Sequence, residues 1–341
     1  MSRPGDGLQL PHRFDRRSGA LPFSAVTEPA HQATPNGSDP KLFGILCTYR
    51  RPAEALRFLE LLEQQTRPPD VVAVVDNGSD HGLRDAIASR PTSDTEVKYI
   101  DPGANIGPAG AFGAGYEALV ESLSAGDLVV HFDDDDPPVD DAVLEHLAKS
   151  LRQLREADPL VGGIGLSGGR LNPRTGMVAR VSSVSDHEDV DHLHGGYLPV
   201  YLAEALRSVG GNDRTFFYGF EELELGRRIR LQGWRLMVDA ELMRELSASY
   251  PKRSATGGAQ RSAPEPEWSR FHKERNLIRV LRREHRWLAI FVTVTGRHLA
   301  KPALTVLRHP GGGWRRMVLG VRATLAGLAD KGGIDTRYPP P

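Results

Sequence analysis

The stretch Leu128-Val-Val-His-Phe132 runs directly into four aspartates, Asp133 to Asp136, and then into Pro137-Pro138. The mainly apolar run predicts a buried strand, and the acidic run begins where that strand ends. In open α/β folds, ligands bind at the edge formed by the carboxyl ends of parallel strands. The stretch therefore predicts a ligand-binding edge with a high density of negative charge.

Clustered carboxylates repel one another unless a cation neutralises them, and their hard oxygen atoms suit Mg²⁺ or Mn²⁺. Side chains two residues apart on an extended segment face the same way, so Asp133 and Asp135 can converge on one metal ion. The alternative is a solvated acidic turn, or a helix N-cap before Val139. The position directly after a buried strand favours the metal site.

A pattern of alternating strands and helices extends upstream of this stretch. Residues 42–48 predict a buried strand, 53–65 an amphipathic helix that follows Pro52, and 71–75 a second buried strand. Strand, helix and strand in one short span form a βαβ unit, which requires a parallel sheet. Further elements are expected at 97–100 (strand), 111–124 (helix), 144–154 (helix), a helix ending at Gln232, and 235–238 (strand). The sequence thus predicts an α/β protein with a mostly parallel central sheet flanked by helices.

The two ends of the chain differ from this pattern. Residues 1–40 mix proline, glycine and scattered charges without a period, which predicts a disordered N-terminal segment. Residues 251–267 are polar and rich in proline and glycine, which is typical of a linker. Residues 268–325 look helical, basic and amphipathic. We therefore expect an α/β domain over residues 41–250 and a linker with a helical C-terminal region over 251–341.

Composition excludes several classes of protein. The chain has 341 residues, 39% of them hydrophobic, so it can bury a substantial core. Its 43 Lys and Arg residues balance 44 Asp and Glu residues, and a net charge of −1 argues against a nucleic-acid-binding protein. Cys47 is the single cysteine, which excludes a disulfide scaffold and a cysteine-rich zinc site. With no signal-peptide pattern and no apolar run of about 18–20 residues, we expect a cytoplasmic protein.

Two further candidate sites follow neighbouring strands. The Asp76 carboxylate can accept the N3–H of a uracil or thymine ring, although the tetrapeptide Asp76-Asn-Gly-Ser79 also forms an ordinary Asx-turn. Asn105 and Gly107 lie in a loop before a helix, where small residues let the backbone approach a phosphate. An ordinary loop is the alternative there.

The later part of the chain adds two candidates on helices. Glu221 and Glu222 follow an aromatic run, and a carboxylate beside apolar rings can have a raised pKa and act as a general base. Alternatively, the pair complements the dipole at the start of a helix. His272, Arg275 and Asn276 can reach a diphosphate or the metal, or else they form a solvated helix face.

In their order, these motifs resemble those of family 2 glycosyltransferases with the nucleotide-sugar-binding GT-A fold, and most of all those of bacterial rhamnosyl- and galactofuranosyltransferases. The resemblance covers roughly residues 42–280 and would make 41–250 a catalytic domain. The matching motifs are Thr48-Tyr-Arg50-Arg-Pro52, Val75-Asp76-Asn-Gly-Ser79, Asn105-Ile-Gly107, Phe132-Asp-Asp-Asp135, Gly195-Gly196, Phe217-Tyr-Gly-Phe-Glu221-Glu222-Leu-Glu224, Gly233-Trp234 and Arg275-Asn276.

The resemblance implies a role for each matched position. Glu222 falls on the general-base position, beside Glu221, and Asp133 with Asp135 falls on the metal-binding carboxylates. The residues implied in binding the nucleotide sugar are Thr48, Arg50, Asp76, Asn105, Gly107, Asp134 and Arg275.

The chain departs from the family pattern at three points. A fourth aspartate, Asp136, makes the register of the metal pair ambiguous by one residue. The family usually has Glu-Asp where this chain has Glu221-Glu222, so the base is one methylene longer. The family often carries a histidine shortly after the strand that follows Gly-Trp, and this chain has none there. His272 or His194 is the expected substitute as a third metal ligand.

The implied activity is inverting transfer of a sugar from a UDP- or dTDP-sugar to a hydroxyl of a glycan, lipid-linked or small-molecule acceptor, assisted by Mn²⁺ or Mg²⁺. One alternative is a sugar-nucleotide nucleotidyltransferase, which usually has a Gly-rich loop carrying Arg and Lys after the first strand. The stretch Cys47-Thr-Tyr-Arg-Arg-Pro52 is not such a loop. The other alternative is a non-catalytic module that binds a nucleotide sugar.

Residues 285–295 combine aromatic and apolar side chains. They are flanked by Arg282, Arg283, Arg286, Arg297 and Lys301. The apolar part is too short to span a bilayer, but a basic helix with aromatic edges can lie at a membrane surface. We therefore expect peripheral contact with the cytoplasmic face of a membrane, and the alternative is a helix packed on the catalytic domain.

Overall fold

The computed structural model describes residues 40–181, 186–246, 265–306 and 310–340. The expected disordered segment at 1–40 lies outside the described residues except for Pro40, and so does the expected linker except for residues 265–267. All described residues belong to one compact unit.

The described strands and helices alternate through the first half of the chain, as the sequence predicts. In chain order the strands are β1 (Leu42–Thr48), β2 (Val71–Asp76), β3 (Glu96–Ile100), β4 (Leu128–Asp133), β5 (Val161–Gly165), β6 (Gly168–Leu171), β7 (Val178–Arg180), β8 (His187–Val190), β9 (His192–Leu193), β10 (Val200–Leu202) and β11 (Arg235–Asp239). The helices are α1 (Pro52–Glu63), α2 (His81–Ala88), α3 (Gly107–Leu119), α4 (Val143–Ala157), α5 (Ala203–Arg207), α6 (Glu221–Leu231), α7 (Ala240–Leu246), α8 (Glu267–Arg283), α9 (Trp287–Val292), α10 (Lys301–Val306) and α11 (Pro310–Leu328), with a π-helix at Thr293–Ala300 between α9 and α10.

An eight-stranded sheet forms the centre of the fold, in the order β3-β2-β1-β4-β10-β5-β11-β8. Only β10 and β8 run antiparallel to their neighbours. A second, smaller sheet is antiparallel and has the strand order β7-β6-β9. The prediction of an α/β protein with a mostly parallel sheet and a helical C-terminal region is therefore confirmed.

The register of the central strands brings the predicted site together. Thr48 at the end of β1 lies opposite Asp76 of β2, and Cys47 lies opposite Asp133 of β4. The strands are held in this register because their residues are buried on both faces, as expected for a parallel sheet covered by helices. The carboxyl ends of β1, β2 and β4 thus form one edge.

The glycine-rich stretch at 161–165 is a buried strand, β5, which the sequence pattern did not indicate. Neighbouring groups leave no room for larger side chains there. A Cβ on Gly162 would lie 2.9 Å from the Cβ of Ala205, and one on Gly163 would lie 3.0 Å from Leu236. The glycines make this strand hard to recognise in the sequence, and the same glycines let α5 and β11 pack closely against it.

The C-terminal helices pack on the same unit. Helix α8 is mostly buried, and its inward residues include Phe271, Leu277 and Leu281. Helix α8 contacts α6 and α11. The alternative prediction, that His272, Arg275 and Asn276 form a solvated helix face, is therefore wrong. In the part of the chain that the structure describes, no helix is both long enough and apolar enough to cross a bilayer.

Candidate active site

The acidic run at the end of β4 divides between two environments. Asp134 is buried, and its Oδ2 accepts a hydrogen bond from the Thr48 hydroxyl at 2.7 Å. The Arg51 guanidinium lies 3.0 Å from Asp134 Oδ1 and 3.0 Å from Asp135 Oδ2. Burial raises the pKa of Asp134, while Thr48 and Arg51 act to lower it. A cation supplied by the protein therefore already neutralises part of this run.

Arg51 is the site residue that sequence reasoning missed. The motif comparison selected Arg50, whose backbone adopts a φ of +55° and whose guanidinium lies 4.9 Å from the centre of the Tyr49 ring. Arg51 comes directly before Pro52 and α1, a position at which an exposed arginine is unremarkable. Its role becomes visible only when the fold brings it to the end of β4, 83 residues along the chain from Asp134.

Asp133 lies close to the start of α6. A Cβ placed on Gly195 would lie 3.1 Å from Asp133 Oδ2 and 2.8 Å from Glu222 Oε1. The Gly195 backbone N–H donates a hydrogen bond of 3.0 Å to Glu222 Oε1. A larger residue at Gly195 would displace one of the two carboxylates, and the side chains of Asp133 from β4 and Glu222 from α6 meet at this glycine.

The Glu221 carboxyl group is buried at the start of α6. Its Oε2 is buried and has no hydrogen-bond partner in the described structure. Burial is the main cause that raises its pKa well above the ordinary glutamate value, and repulsion from Glu222 and Asp133 adds to it. Burial also raises the pKa of Glu222, although the Gly195 hydrogen bond opposes that shift. Both carboxyl groups are therefore shifted toward the pKa range that general bases use.

A strained loop places the two glutamates at the start of α6. Phe217, Gly219 and Phe220 all have positive φ angles, of 62°, 80° and 64°. Strain of this kind persists only where the surroundings impose it, and it is common beside active sites. Asn276 imposes it here, because its Nδ2 lies within hydrogen-bond distance of the carbonyls of Phe216 (2.8 Å), Tyr218 (3.0 Å) and Gly219 (2.8 Å).

Arg275 takes part in the same support and does not face the donor site. It is 1% exposed, and its guanidinium donates to the carbonyls of Phe216 (3.1 Å) and Gly333 (2.6 Å) and to the Asn276 side chain. Burial lowers its pKa to about 10. The geometry thus offers no support for the contact we expected with the diphosphate, because the donors of the guanidinium are used inside the protein.

His272 is likewise an internal residue. Its Nδ1 is 2.8 Å from the Trp268 carbonyl, and its Nε2 is the acceptor for the Asp335 backbone N–H at 3.4 Å. Burial lowers its pKa to about 4, so the ring is neutral at physiological pH. Both ring nitrogens are engaged, which leaves no lone pair for the expected metal contact.

Hydrogen bonds to the Asp76 side chain fix the loop after β2, which is one of the loops expected to bind the donor. Asp76 is buried, and it accepts hydrogen bonds from the backbone N–H groups of Gly78 (2.8 Å) and Asp80 (2.7 Å) and from the Tyr99 hydroxyl (2.9 Å). The Asx-turn alternative for this tetrapeptide is therefore also present. These bonds fix the loop at the carboxyl end of β2.

The loop before α3 is fixed in a similar way. Asn105 Oδ1 accepts from the Gly107 N–H at 2.9 Å. Gly107 has a φ of +70°, and a Cβ there would lie 2.2 Å from the Phe217 carbonyl oxygen. Gly107 is therefore needed for packing against the strained loop, and α3 begins at this residue rather than at Ala111 as the sequence suggested.

A cavity of about 470 Å³ adjoins the two glutamates. Residues from β9, α6, α8 and the π-helix line it, among them His192, His194, Lys273 and Arg297. His192 is buried, its Nδ1 has no hydrogen-bond partner in the described structure, and burial lowers its pKa to about 3. The cavity can therefore receive a polar ligand next to Glu221 and Glu222.

The residues present fit a hard divalent cation. Within residues 40–181, 186–246, 265–306 and 310–340, no three His, Cys, Asp or Glu side chains are already arranged as a metal site. Mg²⁺ and similar ions, however, commonly bind one or two carboxylates together with substrate phosphates. The mutual repulsion of Asp133, Glu221 and Glu222 and the unpartnered oxygen of Glu221 are features that a cation would relieve.

Comparison with known proteins gives one family. The model of "Glycosyl transferase family 2" matches residues 45–194. Galactofuranosyltransferase GlfT1 of Mycobacterium tuberculosis is 30% identical over 251 residues, which are 69% of this chain and 80% of that protein. GlfT1 of Mycolicibacterium smegmatis is 27% identical over 247 residues, which are 68% of this chain and 80% of that protein.

Two solved structures are also similar. The structure of S. aureus TarS 1–349 in complex with UDP has a TM-score of 0.48 at 14% identity, and the match covers 86% of this chain and 83% of that one. The mannosyltransferase PcManGT from Pyrobaculum calidifontis, solved with GDP-Man and Mn²⁺, has a TM-score of 0.43 at 19% identity, with 86% and 89% covered.

Proposed function

The chain belongs to glycosyl transferase family 2 and is a nucleotide-sugar glycosyltransferase, and on this basis we propose that it inverts the transferred sugar, with Glu222 as general base and a divalent cation at Asp133 and Asp135. The family membership sets aside the nucleotidyltransferase alternative. Because the mycobacterial relatives are galactofuranosyltransferases, UDP-galactofuranose is the first donor to test, before other UDP- and dTDP-hexoses. The acceptor is a hydroxyl of a glycan, lipid-linked or small molecule, in cell-wall glycan synthesis in the cytoplasm.

One observation carries the proposal: Asp133 from β4 and Glu222 from α6 converge on Gly195 at the carboxyl edge of the sheet. An inverting transfer needs a base on one side of the anomeric carbon and charge neutralisation of the leaving group on the other. The two elements that supply these groups meet at this point, and the cavity lies next to the base.

Glu222 has the features of a general base. Its Oε1 is fixed by the Gly195 N–H, which leaves Oε2 for the acceptor. Burial raises its pKa, so the carboxylate takes up a proton more readily than an exposed glutamate does. In the proposed step, Glu222 removes the proton of the acceptor hydroxyl. The acceptor oxygen then bonds to the anomeric carbon as the bond from that carbon to the diphosphate oxygen breaks.

The donor would lie along the ends of β1, β2 and β4. Thr48 and Arg51 hold Asp134 in place for contact with the ribose or the sugar. Asp76, Arg50, Asn105 and Gly107 would line the nucleotide, with Asp76 at the base. When bound, Mn²⁺ or Mg²⁺ would act as a Lewis acid that neutralises the leaving diphosphate. Asp133 and Asp135 would hold it, the latter with the oxygen that does not face Arg51.

A thermal-shift titration tests the donor site. UDP with Mn²⁺ should raise the melting temperature of the full chain more than GDP with Mn²⁺ does, because a ligand that binds only the native state stabilises it. EDTA should remove most of the shift. Asp133→Asn should also remove it, whereas Asp94→Asn, which changes an exposed aspartate in the loop before β3, should not. If no nucleotide gives a Mn²⁺-dependent shift, or Asp133→Asn keeps the whole shift, the proposed donor site is wrong.

A further inference from the structure

The segment from Arg286 to Ala329 is the most asymmetrically charged part of the chain. It contains seven of the 43 Lys and Arg residues and none of the 44 Asp and Glu residues. The protein as a whole has a net charge of −1, so the remainder is acidic. Positive charge is therefore concentrated on α9, the π-helix, α10 and α11, which contact one another in sequence.

The same segment also holds most of the exposed apolar surface. Of the 13 exposed large hydrophobic residues in the described structure, nine fall within it. They are Trp287, Leu288, Phe291, Val292, Leu299, Leu304, Trp314, Val321 and Leu325. We call these nine residues the C-terminal apolar surface. Such a concentration of exposed apolar side chains in one segment points to an interaction site.

Helical spacing confirms that the exposed residues form stripes and are not scattered. On α9, Phe291 and Val292 follow Trp287 and Leu288 by four positions, so the four share one face, while Ala289 and Ile290 are buried. On α11, Trp314, Val321 and Leu325 share a face, and Leu319 and Ala323 pack inward. Arg315, Arg316 and Arg322 are exposed beside this stripe. Each helix thus has one face packed on the protein and one without a partner among the described residues.

Charge decides among the candidate partners. A second copy of this chain would bring two basic surfaces together, which repels. Residues 247–264 of the chain itself carry three Lys and Arg and no Asp or Glu, so they do not complement the surface either. A bilayer with anionic headgroups complements both features, since it takes apolar side chains at the acyl boundary and arginines at the phosphates.

We propose that the C-terminal apolar surface, with Arg286, Arg297, Lys301, Arg315, Arg316 and Arg322 around it, docks the protein on an anionic phospholipid bilayer. The aromatic side chains enter the headgroup and acyl boundary, and the arginines contact lipid phosphates. The proposal specifies which surface makes the membrane contact expected from the sequence, and which lipid it binds. It does not depend on the proposed transfer reaction.

Sedimentation with vesicles tests the proposal. The purified full chain, without donor or acceptor, should bind vesicles of 70% phosphatidylcholine and 30% phosphatidylglycerol, and should bind pure phosphatidylcholine about tenfold more weakly. Binding should fall as NaCl rises from about 0.1 to 0.5 M, because salt screens headgroup charge. Trp287 and Trp314, which are 56% and 60% exposed, should give a blue-shifted fluorescence emission when anionic vesicles are added.

Paired variants make the test specific. Trp287→Ala with Phe291→Ala should lower the vesicle partition coefficient about tenfold or more, because both side chains are already exposed and their loss removes only lipid contact. Arg315→Ala with Arg316→Ala should have a similar effect on anionic vesicles alone. Leu231→Ala, which removes a 61% exposed leucine of α6, should change nothing.

Three outcomes would overturn the proposal. The first is no binding to anionic vesicles. The second is binding that is equal for neutral and anionic vesicles and independent of salt. The third is a dimer in gel filtration that the Trp287/Phe291 variant converts to monomer while vesicle binding is absent, since a second copy would then occupy the surface. Thermal unfolding of each variant confirms that it is folded.

Discussion

The acidic run at the end of β4 and the acidic pair at the start of α6 are both clusters of carboxyl groups, but they differ in the partners that surround them. Asp134 and Asp135 share Arg51, and Asp134 also has Thr48, within β1 and the turn that follows it. Glu221 has a buried oxygen without a partner in the described structure, and Glu222 has one backbone N–H. Arg51 therefore compensates part of the first cluster, whereas in the second burial raises the pKa of both carboxyl groups.

The two clusters also differ in what holds them. The β4 cluster is placed by a parallel register between buried strands, which leaves little freedom. The α6 pair is placed by a loop with three positive φ angles that α8 restrains through Asn276 and Arg275. From this difference we expect the sheet alone to fix the carboxylates on the proposed donor side. The position of the proposed base then depends on the C-terminal helix α8. Each prediction below changes one side of this comparison.

The largest effect should come from Glu222→Gln. Loss of a general base typically slows transfer by 10² to 10⁴, so we expect a fall in kcat of about a thousandfold. Binding of UDP with Mn²⁺ should change by less than about twofold, because the base contacts the acceptor and not the nucleotide. Transfer from UDP-galactofuranose at saturating donor, together with calorimetry of UDP binding, measures both.

Glu221→Gln is the matched control for that experiment. It changes the neighbouring carboxylate without removing the group that Gly195 orients, so its kcat should fall far less. If Glu222→Gln keeps transfer within about tenfold of the wild type, or if Glu221→Gln is the more damaging change, then Glu222 is not the base.

The next largest effect should come from Asn276→Ala. This change removes the amide that donates to the carbonyls around Phe216, Tyr218 and Gly219, so the strained loop relaxes and Glu222 loses its position. We expect kcat to fall about ten- to a hundredfold while KM for the donor stays nearly constant, since the β4 side is untouched. Steady-state kinetics at a temperature where the variant remains folded separates the two parameters.

Arg282→Ala, on the more exposed side of the same helix, is the control, and it should leave kcat unchanged. A parallel loss of kcat and donor affinity in Asn276→Ala would mean that α8 supports the whole site, and the contrast between the clusters would then fail.

Much of the fold and part of the site followed from the sequence, and the reasons are local. Apolar runs such as 42–48 and 71–75 predict buried strands because parallel strands are buried on both faces. The acidic tip of β4 was visible because polar residues directly follow such a run. The sequence did not indicate the small antiparallel strands, because strands such as β7 and β9 have only three and two residues. It also did not indicate α2, although Leu83 and Ile87 are four residues apart there.

The differences between the expected and the observed surroundings of site residues have long-range causes. Arg275 resembled a surface cation, but it is buried beneath a loop that comes some sixty residues earlier in the chain, and local sequence gives no sign of this. Arg50 and Arg51 are adjacent in the sequence, so the local pattern does not distinguish them. Only the fold shows that Arg51 is the one that reaches Asp134. Side-chain partners across the sheet edge are therefore what one sequence leaves undetermined.

The smallest effect, on stability, should come from Glu221→Gln. The folded-state pKa of Glu221 is raised, so between the ordinary glutamate value of about 4.3 and that raised value the native state binds more protons than the unfolded state. The stability contributed by this group therefore falls as pH rises through the window and is recovered as pH falls. Glutamine removes the dependence, so the variant should be more stable than the wild type at pH 8, by on the order of 1 kcal/mol, and nearly equal at pH 4.5. Urea unfolding across this range measures the difference, and Glu121→Gln, an exposed control, should show none. A destabilised Glu221→Gln at pH 8 would mean that the carboxylate is compensated after all, as Asp134 is by Arg51.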